Sequence, residues 1–366
     1  MLNVPAATPP GALDLTGDAA RRRRALQRAA VEVLERAGYE ELLPPTFEYE
    51  DTFLRAGGTG VAERLLRFPD RDGRVLALRY DFTSSVARIA ATTFAGARLP
   101  LRLSYSGRVY RQEPERGGRP RETLQVGAEL LGDGSLEADV EIVRLMIEGL
   151  QPAGIERLHV DLGNPAIYRS MAADLEPDNA EELFHAVQQK DAVRAGPLAV
   201  LTTLNGGAEV LARARSELPA RVQPMLQSLE TLAQKCAAPG VEISFDLAEL
   251  GGFNYESGLV FAAFAPGSPD AIARGGRYDE VGVSFGRARP ATGFTMDLRQ
   301  LAGLARGAAK RSAILAPCSD DETLRELVAR LRAQGEVVIV ALPGHDPAEL
   351  ACTRRIEMRE GKWHVT

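Results

Sequence analysis

Cysteine is scarce in this chain, with Cys236, Cys318 and Cys352 the only three in 366 residues. An odd number at wide spacing offers neither a disulfide framework nor a thiolate cluster for zinc, and it suggests a reducing compartment. Histidine is nearly as rare: His159, His185, His345 and His364 stand apart, without HExxH or a related spacing, so no metal site is expected. No apolar window approaches the ~20 residues of a membrane span. The opening MLNVPAATPPGALDL has no basic region ahead of an apolar run, so a soluble cytoplasmic protein without a membrane partner is expected. Basic excess is missing too. A net charge of -6 and a pI near 5.5 argue against a bulk electrostatic grip on nucleic acid, and no nucleic-acid partner is expected.

What is present is ordinary globular material, 45% hydrophobic and 26% charged, long enough for one large domain and a small one. The basic run Arg21 to Arg24 falls in the first turns of a helix, GDAARRRRALQRAAVEVLERAG, with Asp18 as N-cap and Gly38 as stop. Leu26, Ala30, Val33 and Leu34 recur at helical spacing, and the arginines read as its solvated face. ELLPPTFEYED is a short extended piece that Pro44 and Pro45 confine to an edge or an interface. LPLRLSYSGRVYRQE and RETLQVGAELLG flank the ERGGR loop as an antiparallel hairpin. SLEADVEIVRLMIEGLQPAG is a helix capped at Ser135, and IERLHVDLG is a strand by alternation. From about residue 164 to 239 the pattern is all-helical, which predicts a helical insertion. Strands resume with VEISFDLAEL, NYESGLVFAAF and ARGGRYDEVGV, and the helix FTMDLRQLAGLARG closes the large domain. Residues 311–366 read β, α, β, short α, β. The expected organisation is an N-terminal extension over 1–17, a core over 18–307 and a small α/β domain over 311–366. The fold class is α+β, an antiparallel sheet flanked by helices.

YRQEPERGGRPRETLQVG crowds Arg111, Arg116, Arg119 and Arg121 among Glu113, Glu115 and Glu122, the equipment of a polyanion site. Asp81 and Thr83 are read at the end of a strand in LRYDFTSS. Gln125 and Glu129, four apart on a strand, share one face, as do Arg111 and Glu113. Acidic groups beside amide, hydroxyl and arginine suit a small zwitterion.

The order of these stretches resembles the catalytic core of class II aminoacyl-tRNA synthetases, and of histidyl-tRNA synthetase in particular, over most of residues 18–307. GYEELLPPTFE, with Pro45, is similar to the dimer-forming motif 1, YRQEPERGGRPRETLQVG to motif 2, and GGRYDEVG with TGFTMDLRQL to the approach to motif 3. LRYDFTSSVARI is similar to the segment that holds the substrate amino group, and GGFNYESGLVF to the histidine-specific segment. The resemblance implies that Asp81, Thr83 and Gln125 surround an ammonium group and that Glu129 faces an imidazole. It places Arg111 at the α-phosphate or carboxylate, Glu113 at the adenine and Arg121 near the distal phosphates. Two departures stand out. Gly251 occupies the place of an arginine that stabilises charge during adenylate formation, and Gln300 that of the nucleotide-binding arginine of motif 3, with Arg299 beside it. Losing one preorganised donor typically costs ~3 to 4 kcal/mol at the transition state. In the histidine-specific segment Asn254 replaces an aspartate, Tyr255 is kept and Glu256 replaces a second tyrosine.

A synthetase-like chain with a degraded ATP site and a shortened tail resembles the regulatory subunits of ATP phosphoribosyltransferase. That resemblance implies a chain with no catalytic residues and no cofactor, homodimeric within a hetero-oligomer. Its expected partner is a short-form catalytic subunit and its effector L-histidine, bound by Asp81, Thr83, Arg111, Gln125, Glu129, Tyr255 and Glu256. The alternative is a divergent histidyl-tRNA synthetase or another ATP-dependent amino-acid-activating ligase.

Overall fold

The computed structural model describes residues 8–9, 11–57, 60–112, 120–173, 175, 180–251, 256–305, 312–343 and 352–366. Two units separate in the chain, Met1–Arg306 and Gly307–Thr366.

The strands in chain order are β1 (Glu40–Leu42), β2 (Phe47–Tyr49), β3 (Arg67–Pro69), β4 (Val75–Leu78), β5 (Leu101–Tyr110), β6 (Glu122–Leu131), β7 (Leu158–Gly163), β8 (Asn205–Gly206), β9 (Val241–Asp246), β10 (Val260–Phe264), β11 (Ala273–Arg277), β12 (Ala291–Asp297), β13 (Ala313–Ala316), β14 (Val337–Val340), β15 (Arg354–Arg359) and β16 (Lys362–Val365). The helices are α1 (Gly17–Arg36), α2 (Glu50–Ala56), α3 (Thr83–Thr92), α4 (Leu136–Leu150), α5 (Pro165–Ala172), α6 (Ala180–Gln188), α7 (Ala192–Ala195), α8 (Ala199–Thr203), α9 (Glu209–Glu217), α10 (Gln223–Cys236), α11 (Leu298–Leu304) and α12 (Glu322–Ala333).

In the first unit a nine-stranded sheet runs in the order β1-β5-β6-β12-β11-β10-β7-β9-β8. It is antiparallel except where β1 joins β5 and β7 joins β9. Its longest strands form the hairpin β5/β6, next to the β1 edge and paired from Leu101↔Leu131 to Tyr110↔Glu122. Alternation along β6 divides the sheet. Leu124, Val126, Ala128 and Leu130 turn to a core shared with α1, α4 and α11, so Gln125, Gly127 and Glu129 turn to the other face. α1 buries Leu26, Ala30 and Leu34 in that core. Its N-cap is Thr16 rather than Asp18, which sits in the first turn and pairs with Arg21. Arg21 and Arg24 are exposed as expected, whereas Arg22 and Arg23 are half-buried. Desolvation, then repulsion from Arg108, lowers the Arg23 pKa, so the run is only partly a solvated face.

Ser135 caps α4 by accepting the Ala138 N–H at 3.3 Å. The same first turn carries Asp139, buried against Arg277 of β11 at 2.9 Å, which rivets the helix to the sheet. The helical insertion spans α5 to α10, and it also contains β8, a strand the helical pattern hid, paired with β9. Its apolar residues, among them Phe184, Leu201 and Leu226, join the same core. A small sheet, β2-β4-β3, lies beside the large one.

The second unit holds the sheet β14-β13-β15-β16, with Leu324, Leu327 and Val328 of α12 packed on Ile314, Val338 and Ile356. RIEMREGKWHV, read as one strand, is a hairpin: Glu360 and Gly361 both take positive φ (49° and 75°), the geometry of a tight two-residue turn. The expected short helix DPAELAC lies outside the described residues, except for its last residue. Among the described residues no helix is long and apolar enough to cross a membrane.

Candidate functional site

The face of the sheet opposite the α1/α4 core carries a cavity of about 530 Å³. Its floor exists because glycines stand where side chains would otherwise meet. A Cβ at Gly293 of β12 would overlap the Glu129 carboxyl, and one at Gly127 would stand 2.5 Å from the Tyr105 hydroxyl. Glu129 therefore lies flat across the neighbouring strand, 1% exposed. It accepts from Thr83 Oγ1 at 3.0 Å, from Tyr105 OH at 3.3 Å and from Tyr278 OH. Burial pushes its pKa up to about 8, against the pull of those three donors. Near neutral pH much of it is protonated, so the group can both donate and accept, which suits an imidazole whose two ring nitrogens play opposite roles.

Asp81 and Thr83 do not end a strand. β4 stops at Leu78, and these residues turn into α3, where Asp81 Oδ1 accepts the Ser84 N–H at 3.2 Å and Thr83 is the first helical residue. A carboxylate at a helix start satisfies a free N–H, which is why the chain turns there. Burial raises the Asp81 pKa, against hydrogen bonds and nearby Arg111. Arg111 lies just beyond β5 rather than on it. Its Nε donates to the Tyr80 carbonyl at 3.2 Å, and it lines the cavity with Gln125. Glu256 and Gly251 also line the cavity, and Glu181, Phe184, His185 and Gln188 of α6 form a further wall.

The cavity thus gathers Asp81, Thr83, Arg111, Gln125, Glu129, Gly251 and Glu256. Two others lie elsewhere. Arg121 pairs by backbone with Arg111 (2.8 Å) but does not line the cavity. Gln300, on α11, accepts from Ser268 Oγ at 3.3 Å and is likewise absent from the lining. Glu113 and Tyr255 lie outside the described residues. Pro45, between β1 and β2, gives its carbonyl to the buried Arg79 Nη1 at 2.9 Å, as does Pro44.

Sequence reasoning missed Tyr105, Tyr278 and the α6 wall. For Tyr105 a signal existed: in the hairpin register it stands opposite Gly127, on the same face as Gln125 and Glu129. Nothing local marks α6, whose place at the cavity is tertiary. Among the described residues no group of three or more His, Cys, Asp or Glu side chains could hold a metal ion.

With this geometry in place, similarity to known proteins can be set beside it. Residues 11–301 match the family described as Histidyl-tRNA synthetase, and residues 311–366 match "ATP phosphoribosyltransferase subunit HisZ C-terminal domain". A curated relative from Burkholderia cenocepacia, named ATP phosphoribosyltransferase regulatory subunit, is 41% identical over 98% of this chain and 98% of its own. One of the same name from Ralstonia nicotianae is 41% identical over 98% of this chain and 97% of its own. A solved structure from Bacillus halodurans, described as an ATP phosphoribosyltransferase regulatory subunit/histidyl-tRNA synthetase, superposes with a TM-score of 0.84. It is 26% identical and covers 95% of this chain and 96% of its own.

Proposed function

The chain belongs to the family of ATP phosphoribosyltransferase regulatory subunits, and from that premise we propose that its sheet-face cavity is the site where L-histidine acts as feedback effector. The chain itself is the regulatory member of the enzyme, built on a histidyl-tRNA synthetase-like fold, and not the catalytic one. The observation that carries the effector reading is Glu129, buried and held by three hydroxyl groups at the floor of a cavity whose other walls supply Asp81, Gln125 and Arg111. A free amino acid with a weakly basic ring meets complementary groups there: Glu129 at the ring, Asp81 and Gln125 toward the ammonium, Arg111 toward the carboxylate.

In this reading the partner is a short-form catalytic subunit in the cytoplasm. Two copies of this chain pair through the β1–β2 region, and histidine binds one state of the assembly more tightly than another, a coupling typically worth about 1 to 3 kcal/mol. The test is reconstitution. Mixed with a short ATP phosphoribosyltransferase, the wild-type chain should raise its rate and make it histidine-sensitive, while the chain alone shows no histidine-dependent ATP–pyrophosphate exchange. Glu129→Ala, which removes both the donor and the acceptor at the floor, should raise the histidine concentration needed for inhibition. Inhibition unchanged in that variant would place the effector at the subunit boundary instead, and clear exchange by the chain alone would make it a synthetase.

A further inference from the structure

The rim of the cavity carries a feature that neither the fold nor the family accounts for. Gly251 has φ +64°, a conformation costly for any residue with a Cβ. A Cβ there would stand 2.5 Å from the Glu256 carboxyl carbon and 2.6 Å from its Oε2. The Glu256 carboxylate thus fills the space in which a side chain at 251 would begin. Its Cγ also lies 3.4 Å from the Cβ position of Gly276 on the cavity floor. A positive group at 251 is barred by backbone and by volume, and a negative group holds its place.

Two side chains of the helical insertion hold this arrangement. Gln188 Nε2 of α6 donates to the Gly251 carbonyl at 2.7 Å. Arg169 of α5 donates through Nη1 to the Glu256 carbonyl at 2.8 Å and through Nη2 to the Ser257 carbonyl at 2.5 Å. From the sheet side the Ser257 N–H bonds the Arg277 carbonyl at 2.7 Å. Among the described residues, Asp81, Glu181, Glu249 and Glu256 stand against Arg64, Arg111 and Arg274 along the cavity, with Glu129 held largely neutral at its floor, so the sign is set locally and not by the lining as a whole. At position 251 the local group is the Glu256 carboxylate. A polyphosphate reaching that point would approach a carboxylate, whereas an ammonium or a protonated ring would be attracted.

We propose that Glu256 is a charge filter that bars nucleotides from the cavity and admits a free amino acid, with Arg169 and Gln188 as the positioning residues that hold it at the rim. The filter reads ligand class, and it explains how a fold shaped for two ligands can be committed to one. It rests on the reading that the cavity takes a free amino acid, and the experiment separates the two.

Binding of L-histidine and, separately, of ATP with magnesium would be measured by titration calorimetry on the full chain, for wild type and Glu256→Gln. Arg169→Met and Gln188→Ala would be titrated alongside, with thermal melts to confirm folding. Wild type should bind histidine and bind ATP weakly or not at all. Glu256→Gln should shift the ratio of ATP to histidine affinity at least tenfold toward ATP, and the two positioning variants should shift it in the same direction by less. A folded Glu256→Gln variant whose ratio is unchanged, or which still binds no ATP, overturns the filter. Failure of wild type to bind histidine would sink the effector reading instead, and the ATP comparison between wild type and Glu256→Gln would still decide this one.

Discussion

A single carboxyl group, Glu129, sets a pH dependence that can be worked out in sign. Burial holds its proton in the folded chain up to pH about 8, while an unperturbed glutamate releases it near ~4.3. The folded state is the tighter proton binder, so the group's contribution to stability is complete below ~4.3 and is lost as pH rises toward 8. Glu129→Gln keeps a neutral group of nearly the same shape at the floor and removes the titration. Urea unfolding should therefore show the wild type losing ground to the variant between about pH 5 and 8, by an amount on the order of a few kcal/mol, each pKa unit being worth about 1.4. Parallel pH profiles would mean that the carboxyl is solvated in the folded chain. Asp81 and Asp297 are raised in the same direction by burial, which is why the difference between the two proteins, and not the wild-type slope alone, isolates Glu129. The sequence made Glu129 legible as a cavity residue because it lies four positions from Gln125 on a strand. Its neutrality was not legible, since that depends on Tyr105, Tyr278 and the glycine at 293 closing over it.

Among the elements, legibility followed local period. α1, α4 and the β5/β6 hairpin were readable because spacing and caps agree within each segment. The pair β15 and β16 was read as one strand because its turn, Glu360–Gly361, is only two residues long. The two-residue β8 carries no period at all. What joins elements is less visible still. Arg277 and Asp139, each with a side chain 9% exposed, lock β11 to α4, and Arg277 also donates to the carbonyls of Ser135 and Asp133 at 3.1 and 3.3 Å. Removing one partner leaves the other charge buried, an effect usually worth about 3 to 5 kcal/mol. Arg277→Met should therefore destabilise the first unit by that order in denaturant melts, and the double variant with Asp139→Leu should recover part of it. A double variant that loses the full sum would show that the two residues act independently.

For the whole molecule, the telling surface is the outer face of the β2-β4-β3 sheet, because β2 inverts the usual polarity. β2 turns Glu48 inward, where Ser85 Oγ and Arg88 Nη2 donate to it at 2.6 and 3.1 Å, and turns Phe47 and Tyr49 outward. Phe47 is 52% exposed and Leu43 81%, with Phe68 and Val75 exposed nearby. A strand that buries charge and presents aromatics to water fits a surface covered by another chain. The motif 1 resemblance of this stretch makes a second copy the natural partner. Covering a large apolar side chain is worth about 1.5 to 3 kcal/mol, so Leu43→Glu with Phe47→Asp should weaken self-association by several powers of ten while leaving each chain folded. In sedimentation velocity the wild type should run as a dimer of the 39.5 kDa chain and the double variant as a monomer. The sheet-face cavity is already formed by residues of a single chain, so, if it is the histidine site as proposed, the monomeric variant should still bind histidine in calorimetry. What it should lose is histidine control of the reconstituted enzyme, because a shift between assembly states needs the assembly. Full histidine inhibition by a proven monomer would instead make each chain a self-contained regulator, with the apolar face serving the catalytic partner.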